Sequence, residues 1–190
     1  MNTRSHSFRL RGAILLATGL VLVPVLSAIA FPVKGGQADI SAVRNATAKY
    51  HDVEAAKADG YGEFYVCTDK EGVGAMGQHY VNGDFVDPVK SPGIDPLHPE
   101  ALVYEPRPDG SLKLVAAEYV TFQDAYHAAF GANATPSVLG TNLIAVGAGN
   151  RYGLPPFFER HVWLWSPNPL GIYDDWNPRV SCRGNGDPAV

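Results

Sequence analysis

The sequence predicts an α+β domain in which an N-terminal helix packs on a curved, mostly antiparallel sheet. Apolar residues recur at helical spacing over residues 39–59, and period-two alternation takes over at Tyr61. The turn at residues 108–110, Pro-Asp-Gly, joins two alternating segments as a hairpin. Cystatin-like and NTF2-like domains have this outline, with a cavity between helix and sheet. A small β-barrel or a cupin-like sandwich is the alternative.

The predicted helix is the first element of the domain. Its buried stripe follows three- and four-residue spacing and consists of Ile40, Val43, Thr47, Tyr50, Val53 and Lys57. Asp39 is suited to cap the first turn, and Gly60 stands where a helix commonly ends in the left-handed conformation. His51 points about 100° away from Tyr50, which indicates a surface position.

Five segments with period-two alternation follow the helix. The predicted strands are residues 63–68, 77–81, 101–105, 112–122 and 160–165. A proline-rich loop connects the second and third strands, and a longer excursion over residues 123–159 begins with a short helix that ends at Gly131. After the last strand, the turn formers Asn168-Pro169 and Asn177-Pro178 predict an extended C-terminal strap.

The N-terminal 30 residues have the pattern of a Sec-type signal peptide. Arg4, Arg9 and Arg11 precede an apolar run that ends in the small-x-small site Ala28-Ile29-Ala30. Cleavage after Ala30 leaves one exported domain, residues 31–190, in the periplasm or outside the cell. A retained membrane anchor is the alternative, because the apolar run is nearly long enough to span a bilayer.

Charge and cysteine content narrow the partners further. Without the three N-terminal arginines, 12 basic side chains remain against 19 acidic ones, a net charge near −7. Such a chain repels phosphate backbones and anionic lipid surfaces, which disfavours nucleic acid and, once the signal is cleaved, a stable membrane partner. Cys67 and Cys182 are the two cysteines, and export favours a disulfide between them over a two-cysteine metal site.

Glu118 is the most unusual residue of the predicted strands. On strand 112–122 the even positions are otherwise apolar, so one carboxylate lies in an apolar face. A buried carboxylate needs a cationic, histidine or metal partner, or else takes up a proton. An Arg or Tyr partner in a purely structural network is the alternative to a functional role.

Two histidines lie, like Glu118, in the middle of predicted strands. His79 and His161 each lie in the middle of a strand, and a curved sheet can bring them to Glu118. Two histidines and one carboxylate form a set that binds iron, zinc, manganese or copper, so a divalent transition metal is the cofactor that this set predicts. Without a metal, Glu118 and His161 are suited to acid–base catalysis on a small molecule.

Aromatic residues beside these groups are candidates for the wall of the site. His161, Trp163 and Trp165 share one face of a strand, and Tyr80 follows His79. Aromatic walls are typical of small-molecule sites, so a metal-free module for a sugar or another small ligand is the second hypothesis. A structural envelope protein, in which all these residues are packing, is the third.

The chain resembles a widespread family of exported bacterial proteins whose activity is uncharacterised. The resemblance depends on YHDVEAAKADGY (50–61), GAMGQHYVN (74–82), DPLHPEALVYEP (95–106), LVAAEY (114–119), HVWLWSPNP (161–169) and WNPRVSC (176–182). It covers most of the predicted mature chain and implies no reaction or catalytic residue. Residues 132–158 depart from the pattern, since relatives are often richer in His and Gly before His-Val-Trp.

Overall fold

A computed structural model describes residues 37–87, 89–91 and 93–185. Within them the chain is an α+β domain, as the sequence predicts, with short helices around a curled antiparallel sheet of six strands. The predicted signal peptide and its cleavage site lie outside the described residues. None of the described helices has the length and apolar character needed to cross a bilayer.

The predicted N-terminal helix is divided into three pieces. Helix α1 spans Gln37–Thr47, a 3-10 turn spans Ala48–His51, and helix α2 spans Val53–Ala58. The division lies at Asp52, which has an extended backbone and whose carboxylate accepts the N–H of Glu54, so that it caps α2. Gly60 follows α2 with φ +94°, the conformation expected of a glycine after a helix.

The main sheet has the order β1-β2-β3-β4-β8-β7, and all neighbouring strands are antiparallel. Its strands are β1 Tyr61–Lys70, β2 Gly74–Asn82, β3 Ala101–Pro106, β4 Leu112–Phe122, β7 Ile144–Val146 and β8 Phe157–Val162. The hairpin between β3 and β4 is confirmed: Gly110 donates to the carbonyl of Arg107, and the two strands pair directly.

The connections contain four short elements. They are α3 Gly83–Val86, α4 Gln123–Phe130, β5 Ser137–Val138 and β6 Thr141–Asn142, of which only α4 is predicted from the sequence. A last 3-10 turn spans Arg183–Asn185. The strap predicted after β8 is fixed to the sheet at Asn177, which exchanges two backbone hydrogen bonds with Ala75.

The sheet separates two sets of buried side chains. One face, which we call the tyrosine face, carries Tyr61, Tyr80, Tyr104 and Tyr119. The opposite face, which we call the histidine face, carries His79, Glu118 and His161. Ile40 and Val43 of α1 belong to the same core cluster as Tyr119, on the tyrosine face.

A β-bulge interrupts the alternation of β4. Ala116 lies opposite Val103, whereas Leu114 lies opposite the next residue, Tyr104. Leu114 therefore packs with the tyrosines, and Ala116 packs on the other side with Val103. The prediction that all even positions of this strand share one face is wrong before the bulge and correct from Ala116 to Phe122, the part that includes Glu118.

The predicted disulfide between Cys67 and Cys182 is confirmed. Their Cα atoms are 5.6 Å apart and they are separated by 115 positions in the chain. In the chain-entropy model, closing so long a loop stabilises the fold by at most about 4–5 kcal/mol. The bond connects β1 to the end of the strap and indicates an environment more oxidising than the cytosol.

Candidate functional site

The three predicted metal ligands come together at the centre of the histidine face. The Nε2 atom of His79 lies 3.3 Å from Oε2 of Glu118 and 3.3 Å from Nε2 of His161. One ligand atom from each residue lies within 4.8 Å of the other two. All three side chains are buried, with His161 fully enclosed.

The sheet topology explains this convergence. Glu118 on β4 and His161 on β8 are direct cross-strand partners, so their side chains are neighbours on one face. His79 lies on β2, two strands from Glu118, and the curl of the sheet brings it inward. Only the small side chain of Ala101 lies between them in the row of Glu118 on β3, which leaves room for the contact.

The protonation of the three groups is interdependent. Burial raises the pKa of Glu118 well above its ordinary value, and contact with Glu159 raises it further. Burial opposes charge on His161, but the negative charges of Glu118 and Asp175 outweigh it and raise the pKa of His161 to about 9. Burial and the charge of His161 lower the pKa of His79 to about 3. At neutral pH His79 is therefore neutral and offers a lone pair.

Asp175 is a second acidic partner of His161 that the sequence analysis does not identify. Its Oδ1 lies 3.7 Å from Nδ1 of His161, and neither atom has a hydrogen-bond partner among the described residues. Two buried polar atoms that face each other just beyond hydrogen-bonding distance require little movement to pair. A carboxylate behind the outer nitrogen of a histidine is the usual arrangement of ligand and support in metal sites.

Glu159 is a further acidic residue that the sequence analysis does not assign to the site. It lies on β8 two positions before His161, so it shares the same face, and it is buried. The signal is present in the sequence, since Phe157, Glu159 and His161 alternate at period two. It is missed because the predicted strand begins at residue 160, whereas β8 begins at Phe157.

A cavity of about 270 Å³ opens directly above His79, Glu118 and His161, which we call the ligand set. His79, Glu118, Glu159 and Asp87 contribute its ionisable groups, whereas His161 is not among the lining residues. Its apolar wall includes Phe64, Val81, Val120, Phe122, Leu154 and Phe157. The cavity is on the histidine face, opposite the side on which Ile40 and Val43 of α1 are buried. A cavity between helix and sheet, as in the cystatin-like outline, is therefore not the one that contains the ligand set.

The predicted aromatic wall is divided between the two faces. Trp163 is buried beside His161, with nearly parallel rings 6.0 Å apart, but it does not line the cavity. Tyr80 is on the tyrosine face, where its ring contacts Tyr104. Trp165 contacts His51 at a surface cleft. The aromatic residues that do line the cavity are Phe64, Phe122, Tyr152 and Phe157.

No family model, curated protein or solved structure matches the chain. The candidate site is therefore defined by its own geometry.

Proposed function

We propose that the domain binds a single divalent transition metal ion through His79, Glu118 and His161. The observation that carries the proposal is the convergence of two imidazoles and one carboxylate on a common point inside the protein. Nε2 of a neutral His79 carries either one lone pair or one proton, yet two ligand atoms of its neighbours lie 3.3 Å from it. A cation between the three groups satisfies all of them at once.

Two of the three distances between ligand atoms fit a first-row metal, and all three are within 4.8 Å. Bonds of about 2.0–2.2 Å to nitrogen and oxygen ligands give edges of about 3.3–3.6 Å in a tetrahedral site. Both 3.3 Å separations around His79 agree with such an edge. Two histidines and a carboxylate suit zinc, iron, manganese or copper, and three protein ligands leave a further position open.

The open position would face the cavity, since His79 and Glu118 line it, whereas His161 is not among the lining residues. Sites that keep a position for water or a small molecule are typical of catalytic rather than structural metals. In this proposal Glu118 and His161 are metal ligands. The alternative is that they transfer protons in a metal-free site, which is supported by the different pKa values of His79 and His161.

The test is metal titration of the purified protein after removal of bound metal with a chelator. We expect about one Zn²⁺ or Co²⁺ per chain, with the visible spectrum of four- or five-coordinate Co²⁺. His79→Ala and His161→Ala abolish this spectrum. His98→Ala is the matched control, because His98 is an exposed histidine paired with Asp95. Uptake equal in all four proteins, or no uptake by the wild type, would contradict the proposal.

We further propose that the domain works in the periplasm or outside the cell, after cleavage behind Ala30. The Cys67–Cys182 disulfide and the pattern of residues 1–30 support this proposal. The metal and a small molecule are then its partners, rather than nucleic acid or membrane. We also propose that the domain has the helix-on-sheet outline of cystatin-like and NTF2-like domains. The burial of Val43 of α1 in the core cluster supports this outline. Fractionation of expressing cells, with N-terminal sequencing of the product, tests both location and cleavage.

A further inference from the structure

The cavity above the ligand set has two unlike ends. His79, Glu118 and Glu159 form a polar floor, Asp87 adds one further carboxyl group, and the rest of the lining is mainly hydrocarbon. Ligand pockets of this kind bind the apolar body of a molecule by burial and fix its orientation through a few polar groups. The cavity therefore selects a molecule with one polar end.

The size of the cavity limits the ligand. A cavity of about 150 Å³ lined by aliphatic and aromatic groups binds benzene. The present cavity, at about 270 Å³, accommodates one ring with a short substituent. Four aromatic side chains line it, and the rings of Phe64 and Phe157 lie 6.0 and 6.2 Å from that of Tyr152. An aromatic lining of this kind suits an aromatic ligand, since rings contact one another favourably in offset or edge-to-face arrangements.

The charges of the cavity lining argue against anionic and cationic ligands. Three carboxyl groups, those of Glu118, Glu159 and Asp87, line the cavity, and none of the described lining residues is a lysine or an arginine. The carboxyl groups of Glu118, Glu159 and Asp87 offset the charge of a divalent ion, so an anionic ligand meets no net positive charge in this cavity. A cationic ligand competes with the metal ion for the same carboxylates. A neutral polar end avoids both penalties.

We propose that the cavity binds a neutral molecule of one-ring size with a single hydroxyl group, whose oxygen takes the open coordination position of the ion. This inference rests on the proposed metal site, since the ion supplies the partner of the hydroxyl oxygen. The ring lies against the phenylalanines, away from the ion. Tyr152 and Leu154, on the connection between β7 and β8, cover it from the other side.

The experiment compares benzyl alcohol, benzoate and benzylamine on the Co²⁺-loaded protein by calorimetry and visible absorption. We expect benzyl alcohol to bind at least about tenfold more tightly than either charged analogue. Its binding should change the cobalt spectrum. Tighter or equal binding of benzoate or benzylamine overturns the neutral class, and binding that leaves the spectrum unchanged overturns the coordination.

A cavity-filling variant locates the ligand. Val120→Phe narrows the cavity without altering a metal ligand, and we expect benzyl alcohol affinity to fall at least about tenfold while the cobalt spectrum is kept. Val89→Phe is the matched control, because Val89 is 89% exposed. Unchanged affinity in Val120→Phe overturns the assignment to this cavity.

The two proposals fail differently. A wild-type protein that takes up cobalt but does not bind benzyl alcohol overturns only the ligand inference. A protein that takes up no cobalt overturns the proposed function and the coordination together.

Discussion

Both faces of the sheet bury polar groups, but the hydrogen bonding of these groups differs between the two faces. On the tyrosine face, the hydroxyls of Tyr61, Tyr104 and Tyr119 each donate to a backbone carbonyl at 2.7–2.8 Å. On the histidine face, the donor and acceptor atoms of His161 and Asp175 face each other at 3.7 Å without a hydrogen bond.

This difference supports a stabilising role for the tyrosine hydroxyls and the proposed metal-binding role of the histidine face. A hydroxyl with a fixed backbone partner makes a modest net contribution and needs nothing more. Buried polar atoms that face each other without a hydrogen bond, as Nδ1 of His161 and Oδ1 of Asp175 do, are costly in the free protein, and a small movement on metal binding would relieve that cost. The candidate site is distinguished less by burial than by polar atoms that lie close together without forming hydrogen bonds.

The largest expected effect comes from truncation on the tyrosine face. Tyr104 is fully buried and its hydroxyl donates to the carbonyl of Tyr50. Tyr104→Ala should lower the free energy of unfolding by about 3–5 kcal/mol, measured by urea denaturation. The folded fraction should still bind Co²⁺ as the wild type does. Loss of cobalt binding by folded Tyr104→Ala would contradict the view that the two faces have independent roles.

Glu100 provides a pH test away from the histidine face. It is 1% exposed and accepts the N–H of Val120. Burial raises the pKa of Glu100 from 4.5 to about 8, although the Val120 N–H opposes this. The folded chain thus keeps a proton that the unfolded chain releases. Stability should fall as pH rises from about 4.5 to about 8, by up to about 1.4 kcal/mol per pH unit.

Glu100→Gln removes the titrating group and should flatten this part of the stability profile. Urea unfolding at about pH 5 and about pH 7 should then give wild-type and variant curves that diverge by up to about 3 kcal/mol. Parallel profiles would show that Glu100 is already ionised in the folded chain.

Metal affinity should rise with pH through a proton on the histidine face. The pKa of His161 is raised to about 9, because Glu118 and Asp175 outweigh burial, so the ion must displace a proton from His161 below that pH. His79 is already neutral, since its pKa is lowered to about 3. Affinity should increase at least about tenfold per pH unit up to about pH 9, since the raised pKa of Glu118 adds to the effect of His161.

Calorimetry in buffers with different ionisation enthalpies counts the released protons, and we expect at least one per ion, because His161 and Glu118 both have raised pKa values. A count near zero would mean that the imidazole of His161 is neutral before the metal arrives.

The smallest expected effect is that of the supporting carboxylate. Asp175→Ala leaves Nδ1 of His161 without its acidic neighbour and should weaken Co²⁺ binding about tenfold, measured by competition with a chelator. Asp124→Ala, on an exposed position of α4, is the control. Equal affinities in the two variants would remove Asp175 from the metal site.

Sequence periodicity predicts the positions of the three central side chains because strand geometry is regular. His79, Glu118 and His161 lie mid-strand, where alternation assigns each to a face without knowledge of its partners. The same alternation assigns Tyr80 to the face opposite His79. The prediction that Tyr80 lines the site of His79 therefore conflicts with strand alternation.

Other features depend on contacts that the sequence does not encode locally. The bulge before Ala116 arises from the register between β3 and β4, which becomes defined only when they pair. Strand β7 has three residues, too few for a periodic signal. Asp175 lies in the strap, and its approach to His161 follows from the path of the chain after β8.

The strap has one further consequence. It leaves β8 beside His161, turns at the exposed residue Leu170, passes Asp175 and ends at Cys182, which is bonded to Cys67. A protease that cuts the backbone at Leu170 would thus produce two fragments joined by sulfur. The fragment that carries Asp175 would stay docked, and the nick would become visible only on a gel run with thiol.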